Sequence, residues 1–295
     1  MYNQIDANKR KTWLLIGIFS AIIIVIGYVL NEFYGFGYES VIFAMIISIV
    51  MSLTSYYHGD KLALWSTGAR PISKEENPYV YRLVENLCIS AGMPVPKIHL
   101  IDSPALNAFA TGRDPAHASI ALTTGIVEAL ENEELEGVIA HELSHVKNYD
   151  IRVMTVVIVL VGVISLLADW FLRARWLGMG RRRDNERGGG QVAGLLALVG
   201  FVFLIISPLV AELIKLAVSR KREFLADASG ALLTRYPEGL ARALEKISAS
   251  SAPLQTASTA TAHLFIANPL KSSAAASLFS THPPAAERIK RLRAM

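Results

Sequence analysis

The chain has 295 residues, 52% of them hydrophobic and only 18% charged, with a mean hydropathy of +0.37. Average soluble domains carry roughly 25% charge, so the ions needed to coat two soluble globules are missing, and the low hydrophobicity and high net charge that keep chains disordered are absent. A single cysteine, Cys88, excludes a disulfide scaffold. The net charge of +4 points to nucleic acid or a membrane surface, and the hydrophobic excess favours the membrane.

That excess is concentrated in runs. No charged residue occurs from Thr12 to Asn31, and none from Ser40 to Gly59. About twenty apolar residues rise about 30 Å as a helix, enough for a bilayer core. The first run is too long for a signal peptide and lacks a small-residue cleavage pattern after it, so it reads as an uncleaved anchor. Lys9, Arg10 and Lys11 precede it, the connection to the second run holds Glu32 and Glu39, and Lys61 and Arg70 follow. The positive-inside rule puts the N-terminus in the cytosol, the short loop outside and everything after Gly59 back in the cytosol.

Asn77 to Gly92 reads as a capped helix, with Asn77 at the N-cap, Pro78 in the first turn and Gly92 at the C-terminal cap. Cys88 falls on its apolar stripe with Val80, Leu83, Val84, Leu87 and Ala91, a core position. Lys97 to Asp102 alternates as a half-buried strand, and Asn107 to Ala110 and Ser119 to Thr123 are two further short strands around the turn-rich Thr111 to Pro115. Glu131 to Lys147 is helical, starting near Glu131 or Asn132 with acids in its first turn.

Two more apolar runs follow, Val153 to Ala168 and Val192 to Ala211, with Pro208 late in the second. Between them, Arg173 to Gly190 carries Arg173, Arg175, Arg181, Arg182, Arg183 and Arg187 against Asp184 and Glu186. A spanning pair fits the apolar length but puts this basic loop outside, against the charge rule; a re-entrant or protein-buried hairpin is the other reading. Helical sequence resumes near Glu212. Ser248 to Ala262 and Lys271 to Ser280, rich in Ser, Ala and Thr, read as loops, and Pro284 to Met295 as a basic helix. The chain thus divides into an N-terminal transmembrane hairpin (1–60), a first soluble part (61–150), a second apolar hairpin (151–211) and a second soluble part (212–295).

The chemistry sits in His141-Glu142-Leu143-Ser144-His145. Residues four apart share a helix face, so both imidazoles reach one ion, while Glu142, one step round, stands beside the metal as a base for its water. A catalytic zinc takes a third protein ligand and leaves the fourth position to water. Downstream, Glu223 and Asp227 are also four apart on a helical stretch: one carboxylate can bind the ion and the other can orient a ligand imidazole.

These two motifs, the two N-terminal membrane runs, Asn107-Ala108-Phe109-Ala110-Thr111-Gly112 and Thr281-His282-Pro283-Pro284 with Glu287-Arg288-Ile289 resemble the HtpX heat-shock membrane metalloproteases. That group stands with the CAAX-prenyl-protease-type and mitochondrial inner-membrane zinc peptidases. The resemblance covers nearly the whole chain. It implies an α+β, mainly helical fold: membrane helices plus a gluzincin-like zinc metalloprotease domain with a small β-sheet. It also implies that His141, His145 and Glu223 bind one zinc, that Glu142 is the catalytic base and that Asp227 orients a ligand. His282 would stabilise the transition state, although a His before two prolines also suits a cap on the terminal helix. Asn107, Ala108, Phe109 and Ala110 would form the edge strand that aligns substrate backbone. The implied function is proteolytic quality control of misfolded or damaged membrane proteins during stress, at the cytosolic face of the inner membrane, alongside other membrane proteases and without nucleic acid. A transporter is disfavoured because the first two runs carry no ionisable group at mid-span. A non-proteolytic zinc scaffold is disfavoured because the base is present.

Overall fold

The computed structural model describes residues 2–35, 37–162, 219–252, 254, 256–258, 261–269 and 283–295. The Arg-rich loop 173–190, the run 192–211, the loop 271–280 and His282 lie outside the described residues.

The first two apolar runs form an antiparallel helical hairpin, α1 (Tyr2–Tyr34) and α2 (Glu39–Ser66). Both are long and apolar enough to cross a bilayer, over Gln4–Val29 and Glu39–Ser66, with only 28% and 22% of their most apolar windows buried. A soluble core helix hides its apolar residues. Here Trp13, Leu14, Val25, Ile42, Phe43, Ile46, Ile49, Val50 and Leu53 face outward, which is the surface a lipid-facing helix presents. The inward side of α2 is a row of small residues: Ala44, Ser48, Ser52, Ser55, Gly59 and Ala63. Small residues let membrane helices approach closely. At Gly27 a Cβ would fall 2.5 Å from the Ala44 Cβ.

A further helix, α3 (Pro78–Ala91), has the expected caps: Asn77 Oδ1 accepts from the Val80 amide at 3.0 Å, and Gly92 adopts the left-handed conformation at φ 64°. Cys88 is buried on its inner stripe, and burial pushes its thiol up to about 11. A mixed sheet of four strands follows: β1 (Arg70–Pro71), β2 (Lys97–Ile101), β3 (Ala108–Gly112) and β4 (Ala118–Thr123), in the order β1-β2-β4-β3. The inner pair β2/β4 is parallel, and β3 runs antiparallel to β4 at the edge. The expected turn begins later than Thr111, because β3 continues through Gly112 and a 3-10 turn, Pro115–His117, makes the reversal.

After the short α4 (Thr124–Ala129), α5 (Asn132–Lys147) enters the centre of the core. Its N-terminus carries a capping box in which the Glu134 carboxylate accepts from the Glu131 amide at 2.9 Å. Tyr149 then breaks the helix with φ 59°, and α6 is helical over 150–162. The third apolar run therefore begins as a helix buried nearly all round. Val153, Val156, Val157, Leu160 and Val161 pack on Leu15, Phe19 and Ile23 of α1 and Ala44 of α2. Within these residues it faces protein, not lipid.

Among the described residues, three helices complete the soluble part: α7 (Arg220–Thr234), α8 (Pro237–Ala249) and α9 (Ala285–Leu292). The segment read as a loop from Ser248 is helical through Ala249, and a 3-10 turn stands at Ala262–Leu264. Glycines set how closely α5 is embraced. A Cβ on Gly137 would fall 2.8 Å from the Leu240 amide of α8, and one on Gly230 of α7 would fall 3.1 Å from the His141 amide. Gly137→Ala should lower stability by about 1–3 kcal/mol through overpacking. A thermal-unfolding midpoint in detergent equal to that of the wild type would contradict this close approach.

Candidate metal centre

The expected residues of α5 and α7 converge in the core. His141 and His145 lie one turn apart on α5, edge-to-face, with ring centroids 4.8 Å apart and planes at 89°. Their Nε2 atoms stand 3.2 Å from each other. Glu223, in the first turn of α7, brings Oε2 to 3.7 Å from His141 Nε2 and Oε1 to 3.5 Å from His145 Nε2. These donor atoms all lie within 4.8 Å of one another, and all three residues are buried.

The other nitrogen of each ring fixes the tautomer. His141 Nδ1 meets Asp227 Oδ1 at 3.0 Å, and His145 Nδ1 meets Asp150 Oδ2 at 3.1 Å. With each Nδ1–H donated to a carboxylate, both Nε2 atoms present lone pairs to the same point. Two lone pairs and a carboxylate repel there unless a cation lies between them. Ligands about 2.0–2.1 Å from a tetrahedral zinc stand about 3.3 Å apart, which matches the observed imidazole spacing. The residues fit a metal.

The electrostatics agree. Burial alone would lower the pKa of His145, yet the carboxylates of Asp150, Glu223 and Glu142 raise it to about 9, so the pocket favours positive charge at the ring. Burial keeps His141 below its ordinary value, against the pull of Asp227. Although burial opposes it, the Arg288 guanidinium and His141 hold Asp227 well below the usual carboxylate range. Glu142 is raised to about 7, chiefly by burial and further by Glu223, while His145, Arg288 and a hydrogen bond from the Ala110 backbone pull it down. A carboxyl group poised near neutrality suits proton transfer at physiological pH.

Two participants are given no role by the sequence reading. Asp150 lies five residues beyond His145, off the helical face, and only the turn at Tyr149 returns it to the ring. Arg288 is buried, donating to Asp227 Oδ2 from Nε at 2.9 Å and to Oδ1 from Nη2 at 2.7 Å; its Nη1 is 3.7 Å from Glu223 Oε2. Its signal was an arginine one turn before the buried Leu292, on the apolar stripe of α9. The N-cap of α9 is Pro284.

Of the residues expected to align substrate, Ala108, Phe109 and Ala110 lie in edge strand β3 and Asn107 just before it, and they are partly covered. Ala108 uses its outward carbonyl to accept from the Ile266 amide at 3.0 Å, and Asn107 Nδ2 donates to the Ala267 carbonyl at 2.9 Å. Phe109 is buried edge-to-face against Phe265. The outward amide of Gly112 donates to Thr155 Oγ1 at 3.1 Å. Between these two tied positions lies Ala110, beside Glu142.

The profile of peptidase family M48 matches residues 74–295. The chain belongs to peptidase family M48. As an M48 member it is a metallopeptidase, a hydrolase of peptide bonds, and its membrane-capable hairpin makes it a membrane metalloprotease. It is 46% identical to a Protease HtpX homolog of Caldanaerobacter subterraneus, over all of this chain and 98% of that one. It is 45% identical to one from Dictyoglomus thermophilum, over all of this chain and 94% of that one. A Tropheryma whipplei homolog is also 45% identical, over all of this chain and 98% of its own. The crystal structure of S. mikatae Ste24p shares the fold, with a TM-score of 0.50 at 18% identity, covering 99% of this chain and 67% of that one.

Asp227→Asn should weaken metal binding about 10–100-fold, because outer carboxylates that orient ligand imidazoles are worth that much. Chelator competition on the purified M48 chain reads the change, and undiminished affinity would show that His141 needs no such support.

Proposed function

We propose that the chain is a zinc endopeptidase of the cytoplasmic membrane that cleaves misfolded or damaged membrane proteins on the cytosolic side. The observation that carries this reading is the convergence of two imidazole Nε2 atoms and the Glu223 carboxylate beside a buried, near-neutral Glu142. His141, His145 and Glu223 hold the ion. Two histidines and a glutamate, with a fourth position for water, are a catalytic zinc set. When bound, zinc activates a water molecule and polarises the scissile carbonyl.

The chain's own groups do the rest. Glu142 accepts the water's proton and passes it to the leaving amine. Asp227 and Asp150 keep both imidazoles in the tautomer that ligation needs. Substrate backbone pairs at the edge of β3, centred on Ala110, which aligns the scissile bond with Glu142. His282 is assigned to stabilising the reacting carbonyl.

The domain reading fits this division of labour. The soluble parts 61–150 and 212–295 each supply part of the ligand set, 1–60 anchors them, and the apolar segment 151–211 connects them. α5 runs directly into α6, which lies against α1 and α2, so the catalytic helix ends at the membrane. This supports membrane-protein substrates presented from the bilayer, in concert with other quality-control proteases. The basic cluster Lys9, Arg10 and Lys11 at the start of the first span supports a cytosolic active site.

Glu142→Gln should retain zinc and lose cleavage of a membrane-protein substrate in detergent, by roughly 10²-fold or more for removal of a general base. Peptide-bond cleavage at the wild-type rate by the purified, zinc-loaded variant would overturn the assignment.

A further inference from the structure

We propose that Asn8 of the first membrane helix is a positioning residue for the metal centre, acting on His145 through Asp150. The inference rests on the reading of His145 as a metal ligand.

Asp150 orients His145 with Oδ2 and is itself fixed through Oδ1. That oxygen accepts from Asn8 Nδ2 at 2.7 Å and from Arg222 Nη1 at 3.4 Å. The same Asn8 amide group donates its second hydrogen to the Asn148 carbonyl at 2.8 Å, at the C-cap of α5. One side-chain NH₂ therefore clamps the end of the ligand helix to the start of α6, across the break at Tyr149. Asn8 Oδ1 accepts from Arg222 Nη1 at 3.4 Å, and Arg222 immediately precedes Glu223. A single side chain on α1 thus touches the residues that set two of the three ligands.

Asn8 is 1% exposed. Burying an amide in an apolar setting costs several kcal/mol unless its hydrogen bonds are made, and an anchor helix has no need of one there. The two imidazoles are supported differently. Asp227 is held by Arg288 from the soluble part, whereas the closest partner of Asp150 Oδ1 is a neutral amide from the membrane hairpin at 2.7 Å, with the Arg222 guanidinium farther off at 3.4 Å. The closer, neutral donor fixes the direction of Asp150 without adding positive charge to it, so the carboxylate still polarises the His145 ring. On this account the hairpin completes the metal centre as well as anchoring it.

The test measures zinc affinity, by competition with a chromophoric chelator, on full-length chains in detergent: wild type, Asn8→Ala, Asn8→Asp, Asp150→Asn and the Asn8→Ala/Asp150→Asn double variant. Asn8→Ala should weaken zinc about 10-fold or more, within the range seen for outer ligand partners. Asn8→Asp, which sets a second carboxylate against Asp150, should weaken it at least as much. The double variant should bind no more weakly than Asp150→Asn alone, because both changes break one chain of contacts. Phe19→Ala, which loosens α1 against α6 far from Asp150, should keep wild-type affinity. Wild-type affinity in Asn8→Ala, additive losses in the double variant, or an equal loss in Phe19→Ala would each overturn the proposal while leaving the metal reading intact. Absence of zinc binding by the wild type would overturn the metal reading and this proposal with it.

Discussion

Two imidazole nitrogens 3.2 Å apart, buried beside the Glu223 carboxylate, are the constraint on which the rest of the structure depends. Such an arrangement favours a cation between the rings. Around it the buried carboxylates of Glu142, Asp150, Glu223 and Asp227 outnumber the buried guanidiniums of Arg222 and Arg288, an imbalance that favours a bound cation. Uncompensated buried charge is costly, so an ion bound there would support the fold as well as the chemistry. The glycines at 137 and 230 follow from the same demand, because α5 must be gripped closely enough from both sides for its histidines to meet a carboxylate on α7.

Among the described residues, the apolar side chains of the first three runs lie on two surfaces. One faces outward from α1 and α2 and suits lipid. The other lies between those helices and α6, where a row of small side chains on α2 lets backbones approach and the Ser55 hydroxyl reaches the Val156 carbonyl at 3.4 Å. Thr155 on α6 in turn hydrogen-bonds Thr111 and Gly112 of the edge strand. Membrane helices, edge strand and catalytic helix therefore form one contiguous packing unit. That continuity is what a protease needs if its site is to sit against the bilayer.

How much of this was legible follows from the range of each interaction. Local signals read cleanly: Asn77 and Gly92 cap α3 as their side-chain and backbone chemistry dictates, and the i, i+4 spacing of His141/His145 and Glu223/Asp227 survives into three dimensions unchanged. Contacts created by tertiary packing did not read. Asp150 depends on a non-glycine residue, Tyr149, adopting positive φ; Arg288 reaches Asp227 from a different helix; Asn8 meets Asp150 across a separation of well over a hundred residues. The uniformly apolar start of the third run was ambiguous for a physical reason, since a helix apolar all round looks the same whether protein or lipid surrounds it. The strand beginning at Ala108 was legible, but the cover that Ile266 and Ala267 place over Ala108 and Asn107 is a long-range pairing with no local pattern.

The central claim is that His141, His145 and Glu223 together hold zinc. X-ray absorption at the zinc edge on the purified full-length chain tests it most directly. The account predicts a nitrogen and oxygen shell at about 2.0–2.2 Å, with the outer-shell scattering of two imidazole rings and a coordination number of four to five. A sulfur shell near 2.3 Å, an all-oxygen shell without imidazole scattering, or a shell unchanged on replacing both His141 and His145 would contradict it.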